Sequence, residues 1–160
     1  MQISRPYKSG FTLIELLVVV ALIGLFASIS LGFIAKGRQK GNDTRRLSDL
    51  NQIQKALELY YTNNGKYPVA LVNMKSEFLS EEPKDPNGSA YKYAVLNSSC
   101  NSYHLGAILE EVGSKYLSTD ADLPVSSNLC DALLPDFEGN SSACGTSVST
   151  PEQCYDVTLK

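Results

Sequence analysis

A group of aspartates in the C-terminal third of the sequence could hold a metal ion. Asp120 and Asp122 lie close together, and Asp131 and Asp136 follow in the same polar stretch. Carboxylate oxygens on a loop are ligands that Ca²⁺ prefers. Acidic loops are more often only solvated, however, and we favour that interpretation. We therefore expect no cofactor, with a calcium site at Asp120 and Asp122 as the alternative.

The side chains that most enzymes use do not form a credible catalytic set. His104 is the only histidine, and its strand-like surroundings are typical of a packed or solvated side chain. The serines therefore lack a base for a catalytic triad, and the cysteines lack the close pairs of a zinc site. No phosphate-binding glycine loop is present, and a net charge of −3 does not favour nucleic-acid binding. We expect a protein that is not an enzyme, and a secreted hydrolase is the least favoured function.

One carboxylate interrupts a long apolar run near the N-terminus. The run extends from Phe11 to Ala35, and Glu15 lies within it. About 20 apolar residues allow a helix to span a bilayer, and an ionisable residue inside such a helix indicates a functional site. The alternative is a plain anchor whose Glu15 lies among the lipid headgroups, where the helix N-terminus favours negative charge. A plain anchor does not explain why a short basic leader ends at Gly10, just before the run.

The segment KSG-FTLIEL, residues 8–16, resembles the processing and assembly signal of type IV prepilins and type II secretion pseudopilins. Two later segments strengthen the resemblance, because the turn at Asn64–Pro68 and the run Asp85–Gly88 are similar to segments of major pseudopilins. An ordinary secretory signal, cut near Ser28–Ser30, is the alternative.

The resemblance implies a role for each residue of the signal. A prepilin peptidase would cut between Gly10 and Phe11 and methylate the new N-terminus, and Glu15 would pair with the Phe11 ammonium of a neighbouring subunit. The other implied partners are an assembly ATPase, its inner-membrane platform and further copies of the same chain. Major pseudopilins also have a calcium site in the corresponding loop.

The basic residues that follow the apolar run argue against the topology that this resemblance implies. They outnumber the positive charges of the leader and are Lys36, Arg38, Lys40, Arg45 and Arg46. By the positive-inside tendency alone, the C-terminal side would lie in the cytoplasm. The resemblance places the leader inside and the head outside, and we expect that topology because it also suits the cysteines.

The four cysteines indicate disulfide bonds in an exported protein. We expect Cys130 to pair with Cys144, which would close a long loop, and Cys100 to pair with Cys154. Free buried thiols are the alternative.

The spacing of apolar residues predicts one long helix from about Phe11 to Asn63. Its second half is amphipathic, since apolar side chains recur at helical spacing at Leu47, Leu50, Ile53, Leu57 and Tyr60. Asn42–Thr44 offers good capping residues at the start of that half. Gly24 and Gly32 are expected to make the first half flexible, and we expect the helix to be interrupted or softened in its middle.

Alternating apolar residues predict three strands after the helix, two of them in an antiparallel hairpin that turns at Asn97–Ser102. A long polar loop precedes the third strand, with a short helix expected near Asn128–Leu134. The predicted fold is α+β: a long N-terminal helix packed on a small antiparallel sheet, with an irregular, disulfide-closed C-terminal region, as in type IV pilins.

The sequence is thus divided into a cleaved leader, residues 1–10, a transmembrane or filament-core half-helix, residues 11–35, and an amphipathic half-helix with a globular head, residues 36–160. The expected function is a pilin or pseudopilin that is anchored in the cytoplasmic membrane with its head outside. It would then polymerise into a cell-surface or periplasmic filament. The alternative is a membrane-anchored binding module that does not polymerise.

Overall fold

The protein is described by a computed structural model that covers residues 10–74, 77–130 and 135–159, with the backbone alone at 29–33. The chain divides into two compact units, one ending at Arg38 and one running from Gln39 to Lys160. Each unit is described by itself below.

Helix α1 spans Leu13–Asn64, a continuous helix of 52 residues. The expected long helix is therefore confirmed, but the expected interruption in its middle is wrong. A helical glycine costs only about 1 kcal/mol relative to alanine, which the surrounding helix-forming residues can offset. Asn42–Thr44 lies inside α1, so these residues do not cap a separate helix. The flexibility proposed for Gly24 and Gly32 stays a prediction.

The N-terminal unit exposes its apolar side chains. Phe11 and Leu13 are 91% and 80% exposed, and the leucines, valines and isoleucines at positions 14–25 are at least half exposed, with the exception of Leu22. Within the described residues, no helix is long and apolar enough to cross a membrane.

The second half of α1 supplies one wall of the core of the C-terminal unit. Leu50, Ile53 and Leu57 are almost completely buried and pack in one cluster with side chains of the sheet. Each buried side chain of this size contributes about 1.5–3 kcal/mol to folding. The predicted packing of an amphipathic half-helix on the sheet is confirmed.

The sheet has three antiparallel strands in the order β1-β2-β3. They are β1 (Lys92–Leu96), β2 (Ser102–Ile108) and β3 (Cys154–Thr158). Val95 pairs with Tyr103 in the β1–β2 hairpin, and Ala107 pairs with Tyr155 across β2 and β3. The α+β fold and the three strands are confirmed. Short 3-10 helices at Leu71–Met74 and Lys115–Ser118 are additional to the prediction.

The two disulfides join Cys100 to Cys130 and Cys144 to Cys154. The presence of two bridges is confirmed, but the expected pairing is wrong. Cys130 donates its N–H to the Val95 carbonyl at 3.0 Å, which brings it to the end of β1 beside the turn that carries Cys100. Residues 128–130 are not helical, and the remainder of the helix expected at Asn128–Leu134 lies outside the described residues, as does Asp131.

A buried arginine joins α1 to the loops of the head. Arg46 donates two hydrogen bonds to Asp85, at 2.5 and 3.0 Å, and contacts Asp43 at 2.7 Å and Glu110 at 3.0 Å. Asp43 also accepts the backbone N–H groups of Glu110 and Glu111, at 2.9 and 3.0 Å. The hydrogen bond to Asp85 is the main reason that the pKa of Arg46 is raised despite burial, so the guanidinium stays charged.

Replacing Arg46 with methionine should strongly destabilise the head, because buried carboxylates would lose their cation. Breaking a buried pair in this way costs about 3–5 kcal/mol. Arg45→Met is the matched control, since the Arg45 side chain is 63% exposed and lies 3.8 Å from Asp49. An exposed pair contributes about 0–1 kcal/mol. Denaturant unfolding of the full chain measures both changes, and equal losses in the two variants would contradict the role of Arg46.

Candidate functional site

The residues of the N-terminal signal lie at the start of α1. Glu15 accepts hydrogen bonds from the Thr12 backbone N–H at 2.9 Å and from the Thr12 hydroxyl at 2.8 Å. The Glu15 N–H points back to the Thr12 hydroxyl at 3.3 Å, so the two residues form a capping box. Phe11 is almost fully exposed, and a Cβ added at Gly10 would meet no atom of the described residues within 4 Å. Packing against the described part of the chain therefore does not require a glycine at position 10.

A second site lies at the far end of the chain, where His104 is enclosed between two carboxylates. The ring is fully buried on β2, with Nδ1 at 2.7 Å from Asp136 Oδ1 and Nε2 at 2.8 Å from Asp156 Oδ2. Phe137 stacks on the imidazole with ring centroids 3.7 Å apart. Because carboxylates accept hydrogen bonds, only a protonated ring can donate to both of them.

The strands and the loop position this group through close contacts. Asp156 lies on β3, where it pairs with Gly106, two positions beyond His104 on β2. A Cβ at Gly106 would lie 2.6 Å from the Phe137 ring, so the glycine makes room for the aromatic ring on the strand. Phe137 forms a small apolar cluster with Cys144 and Cys154.

Burial and the two carboxylates act in opposite directions on the imidazole. Burial alone would disfavour the charged ring, but the hydrogen bonds and charges of Asp136 and Asp156 outweigh it and raise the pKa of His104 above its usual value. Burial likewise opposes the ionisation of Asp136. Hydrogen bonds from His104 and from the Ser126 N–H nevertheless hold the pKa of Asp136 below its usual range. The geometry therefore supports a buried imidazolium with carboxylate partners.

Asp156 connects His104 to the turn that contains two of the predicted calcium ligands. Its Oδ1 accepts the Asp122 N–H at 2.9 Å, and its Oδ2 accepts the Leu123 N–H at 3.0 Å. A Cβ at Gly139 would lie 2.6 Å from this carboxylate, so a glycine is needed there. The turn at 120–123 is thus tied directly to β3.

Asp120 and Asp122 of this turn form an acidic group with Glu152, which lies just before β3. Their ligand oxygens lie within 4.8 Å of one another, and Asp120 Oδ1 and Glu152 Oε1 are buried atoms without a hydrogen-bond partner among the described residues. Burial, with neighbouring acids, raises the pKa of Asp120 to about 6. Burial and the charges of Asp122 and Asp120 raise the pKa of Glu152 to about 7. Unpaired oxygens and mutual repulsion are what a hard cation would relieve, so this group fits Ca²⁺.

The sequence placed only part of this group correctly. Asp120 and Asp122 do lie together, but Asp136 is bound to His104 and does not join them. Glu152 was missed, because its approach depends on the position of the chain just before β3, and no local pattern marks that position.

The chain is similar to known proteins over as much as 74% of its length. Residues 5–31 match the family model of the prokaryotic N-terminal methylation motif. Type II secretion system core protein G of Pseudomonas aeruginosa is 31% identical over 138 residues, which cover 74% of this chain and 95% of that protein. The protein of the same name from Vibrio cholerae is 28% identical over 134 residues, which cover 72% of this chain and 90% of that protein. The type IV wide pilus major component PilA4 of Thermus thermophilus is 32% identical over 94 residues, which cover 59% of this chain and 68% of that protein. No solved structure matches.

The charge on His104 predicts a loss of stability at alkaline pH. The pKa of His104 in the folded protein is raised above its ordinary value of 6.5. The contribution of the charged ring to the free energy of unfolding is therefore complete below pH 6.5 and is lost as the pH rises through the folded pKa. Each unit of the shift corresponds to about 1.4 kcal/mol. We expect the free energy of unfolding of the full chain to fall above neutral pH, and we expect His104→Gln to remove that fall.

Asp120 and Glu152 also respond to pH, but in a lower range. Their pKa values are raised to about 6 and about 7. As the pH rises toward neutral, the ionisation of these two carboxyls therefore lowers the free energy of unfolding. Glu152→Gln is therefore the control, since it should change the slope on the acidic side only. An unchanged alkaline slope in His104→Gln would show that another group is responsible.

Proposed function

Because the chain belongs to the family of type II secretion system core protein G and the type IV pilus component PilA4, we propose that it is a structural subunit that polymerises through α1. The observation that carries this proposal is a similarity that covers 95% of the Pseudomonas protein, together with a methylation motif at residues 5–31. The product would be a type IV pilus or a type II secretion pseudopilus, and its role would be structural, with no catalytic step.

Processing would occur between Gly10 and Phe11 by a prepilin peptidase. The surroundings of Gly10 support this proposal, because no packing contact from the described residues within 4 Å explains a residue without a side chain there. A peptidase that must bring the backbone close to its own catalytic groups would select glycine for that reason. Cleavage would leave Phe11 as an N-terminal ammonium and as the site of methylation.

Membrane anchoring and assembly would cover the exposed apolar side chains of the N-terminal unit. An apolar surface as extended as that of Leu13–Leu25 is normally covered by lipid or protein. We propose that lipid covers it before assembly and that neighbouring subunits cover it in the filament. The assembly ATPase and its inner-membrane platform would drive this exchange. Two disulfides in the head agree with a location outside the cytoplasm.

Glu15 would change partner during assembly. Among the residues that the structure describes, the partner of its carboxylate is Thr12, through one backbone and one hydroxyl hydrogen bond. In a water-poor filament core a carboxylate also needs an opposite charge, since an unpaired buried ion is costly. The Phe11 ammonium of a neighbouring subunit supplies that charge in the proposed assembly.

We also propose a calcium site in the head, in place of the cofactor-free interpretation of the sequence. Asp120, Asp122 and Glu152 would hold the ion, because two of their oxygens are buried without partners. The bound ion would supply the positive charge that relieves their mutual repulsion. Within this chain, the three side chains would contribute hard oxygen ligands and would join the turn at 120–123 to the segment before β3.

Replacing Glu15 with alanine should separate membrane insertion from assembly. Insertion and cleavage should continue, because the helix becomes more apolar and the Gly10–Phe11 bond is unchanged. Incorporation should fall about tenfold or more, since the neighbouring ammonium loses its partner. The measurement is the ratio of mutant to wild-type subunit in sheared filaments, divided by that ratio in membranes, with intact mass reporting whether Phe11 is the N-terminus. Thr12→Val is the control, because it removes the two contacts of the Thr12 hydroxyl with Glu15 and keeps the carboxylate and its backbone hydrogen bond.

Two results would contradict the proposal. Equal ratios in both fractions would favour a membrane-anchored binding module that does not polymerise, because such a module makes no use of Glu15 after insertion. A protein that keeps Met1, or that begins beyond Ser28, would contradict processing at Gly10.

Calcium should stabilise the head and should depend on Glu152. At a free concentration of about 100 Kd, a bound ion adds about 2.7 kcal/mol to the free energy of unfolding. Glu152→Gln should remove most of this gain, whereas Glu111→Gln, an acid that pairs with Lys40 at 3.5 Å, should keep it. Thermal unfolding of the full chain with calcium, with magnesium and with a chelator measures the effect, and an equal response in all three conditions would reject the site.

A further inference from the structure

We propose that His104 is a positioning residue for the acidic group: as an imidazolium, it fixes the Asp156 carboxylate so that this carboxylate orients the turn carrying Asp120 and Asp122. The inference about calcium affinity rests on the proposed calcium site. The inference about the turn itself does not, because it follows from contacts made in the absence of an ion.

The first step is the protonation of the ring, which follows from its contacts. Both ring nitrogens face carboxylate oxygens, at 2.7 Å on Asp136 and 2.8 Å on Asp156. A neutral ring would donate to one carboxylate and direct a lone pair at the other, which is repulsive in a fully buried site. With both nitrogens donating, His104 has no lone pair left for a metal ion and acts only through its neighbours.

The second step is that Asp156 contacts both the imidazolium and the turn through hydrogen bonds. Its two oxygens accept three hydrogen bonds, from His104, from the Asp122 N–H and from the Leu123 N–H. Both backbone bonds need an oxygen that accepts, and a charged donor makes a stronger hydrogen bond to a buried carboxylate than a neutral donor does. The imidazolium is the positive charge in direct contact with it.

The third step is the conformation of the turn. Asp122 has a φ of 49°, in the left-handed region that a residue with a side chain rarely adopts. Such a conformation persists when surrounding contacts determine it. Here the Asp156 carboxylate holds the N–H of Asp122 itself and that of the next residue, and the Asp156 carbonyl accepts the Ala121 N–H at 3.1 Å. Asp156 therefore determines where the Asp122 side chain leaves the backbone.

The fourth step is the charge balance around the site. The groups that face the imidazole are Asp136 from the loop and Asp156 from β3, and the acidic group of Asp120, Asp122 and Glu152 lies beyond Asp156. Without the imidazolium, Asp156 would add a further uncompensated acid beside that group. Its carboxylate would also lose the contact that fixes it from the side of β2, so it would hold the Asp122 and Leu123 amides less firmly and the turn would lose its fixed geometry.

The test uses the full chain in detergent micelles, at neutral pH, as wild type and as His104→Gln. Tyr93→Phe is the control. It removes a buried hydrogen bond, 2.7 Å long, from the Tyr93 hydroxyl to the Pro68 carbonyl, and Tyr93 lies on β1 whereas His104 lies on β2. Three quantities are measured: the ¹⁵N chemical shifts of the imidazole, hydrogen exchange of the Asp122 and Leu123 amides without metal, and affinity for calcium chloride by calorimetry. As the chain has one histidine, the ring signals belong to His104.

We expect ring nitrogens that are both protonated in the wild type. His104→Gln should exchange the Asp122 and Leu123 amides at least tenfold faster and bind calcium about 10–100-fold more weakly, the range typical of residues that orient metal ligands. Tyr93→Phe should leave both quantities within about twofold of the wild type.

Each contrary result has its own meaning. A neutral ring in the wild type overturns the inference, even if His104→Gln fails to fold. Unchanged amide exchange and calcium affinity in a folded His104→Gln also overturn it while leaving the calcium site in place. If the wild type binds no calcium, the proposed calcium site fails, and amide exchange alone then decides whether His104 positions the turn.

Discussion

The C-terminal part of the head depends on one buried cation, the imidazolium of His104. The described loop segments between β2 and β3 contribute few apolar side chains to a core, and their apolar cluster contains only Phe137, Cys144 and Cys154. Such a loop cannot be held by burial of apolar surface alone. Charged hydrogen bonds, which are roughly twice as strong as neutral ones, join it to β2 and β3 through His104.

A second buried cation lies between two aspartates where α1 meets the loops of the head. Arg46 compensates Asp43 and Asp85 as His104 compensates Asp136 and Asp156, and in both cases a carboxylate of the pair also accepts backbone N–H groups. The carboxylate thus orders a segment that is remote in sequence, while the cation keeps that carboxylate ionised. The strands and the apolar stripe of α1 supply the bulk of the core, and these two groups determine how the irregular segments lie against it.

The sequence predicted the elements well because their signals are local. The helix and the three strands follow from periodicity, and the family resemblance rests on adjacent residues. The disulfide pairing, Glu152 and the role of His104 depend on contacts between segments far apart in the chain. A lone histidine in a strand pattern looks the same whether it is solvated or enclosed by aspartates, since the partners lie 32 and 52 residues away.

The two buried cations differ in one property that matters for the stability of the head. A guanidinium is charged throughout the accessible pH range, so the join between α1 and the head at Arg46 does not depend on its protonation. An imidazole can lose its proton, so the attachment of the loop through Asp136 and Asp156 weakens once the pH exceeds the raised pKa of His104. Local opening therefore begins in the loop, where little apolar surface must be exposed, while the Leu50–Ile53–Leu57 core stays closed. The acidic group lies in this part of the head, so the geometry of the proposed calcium site would depend on the support that His104 gives to Asp156.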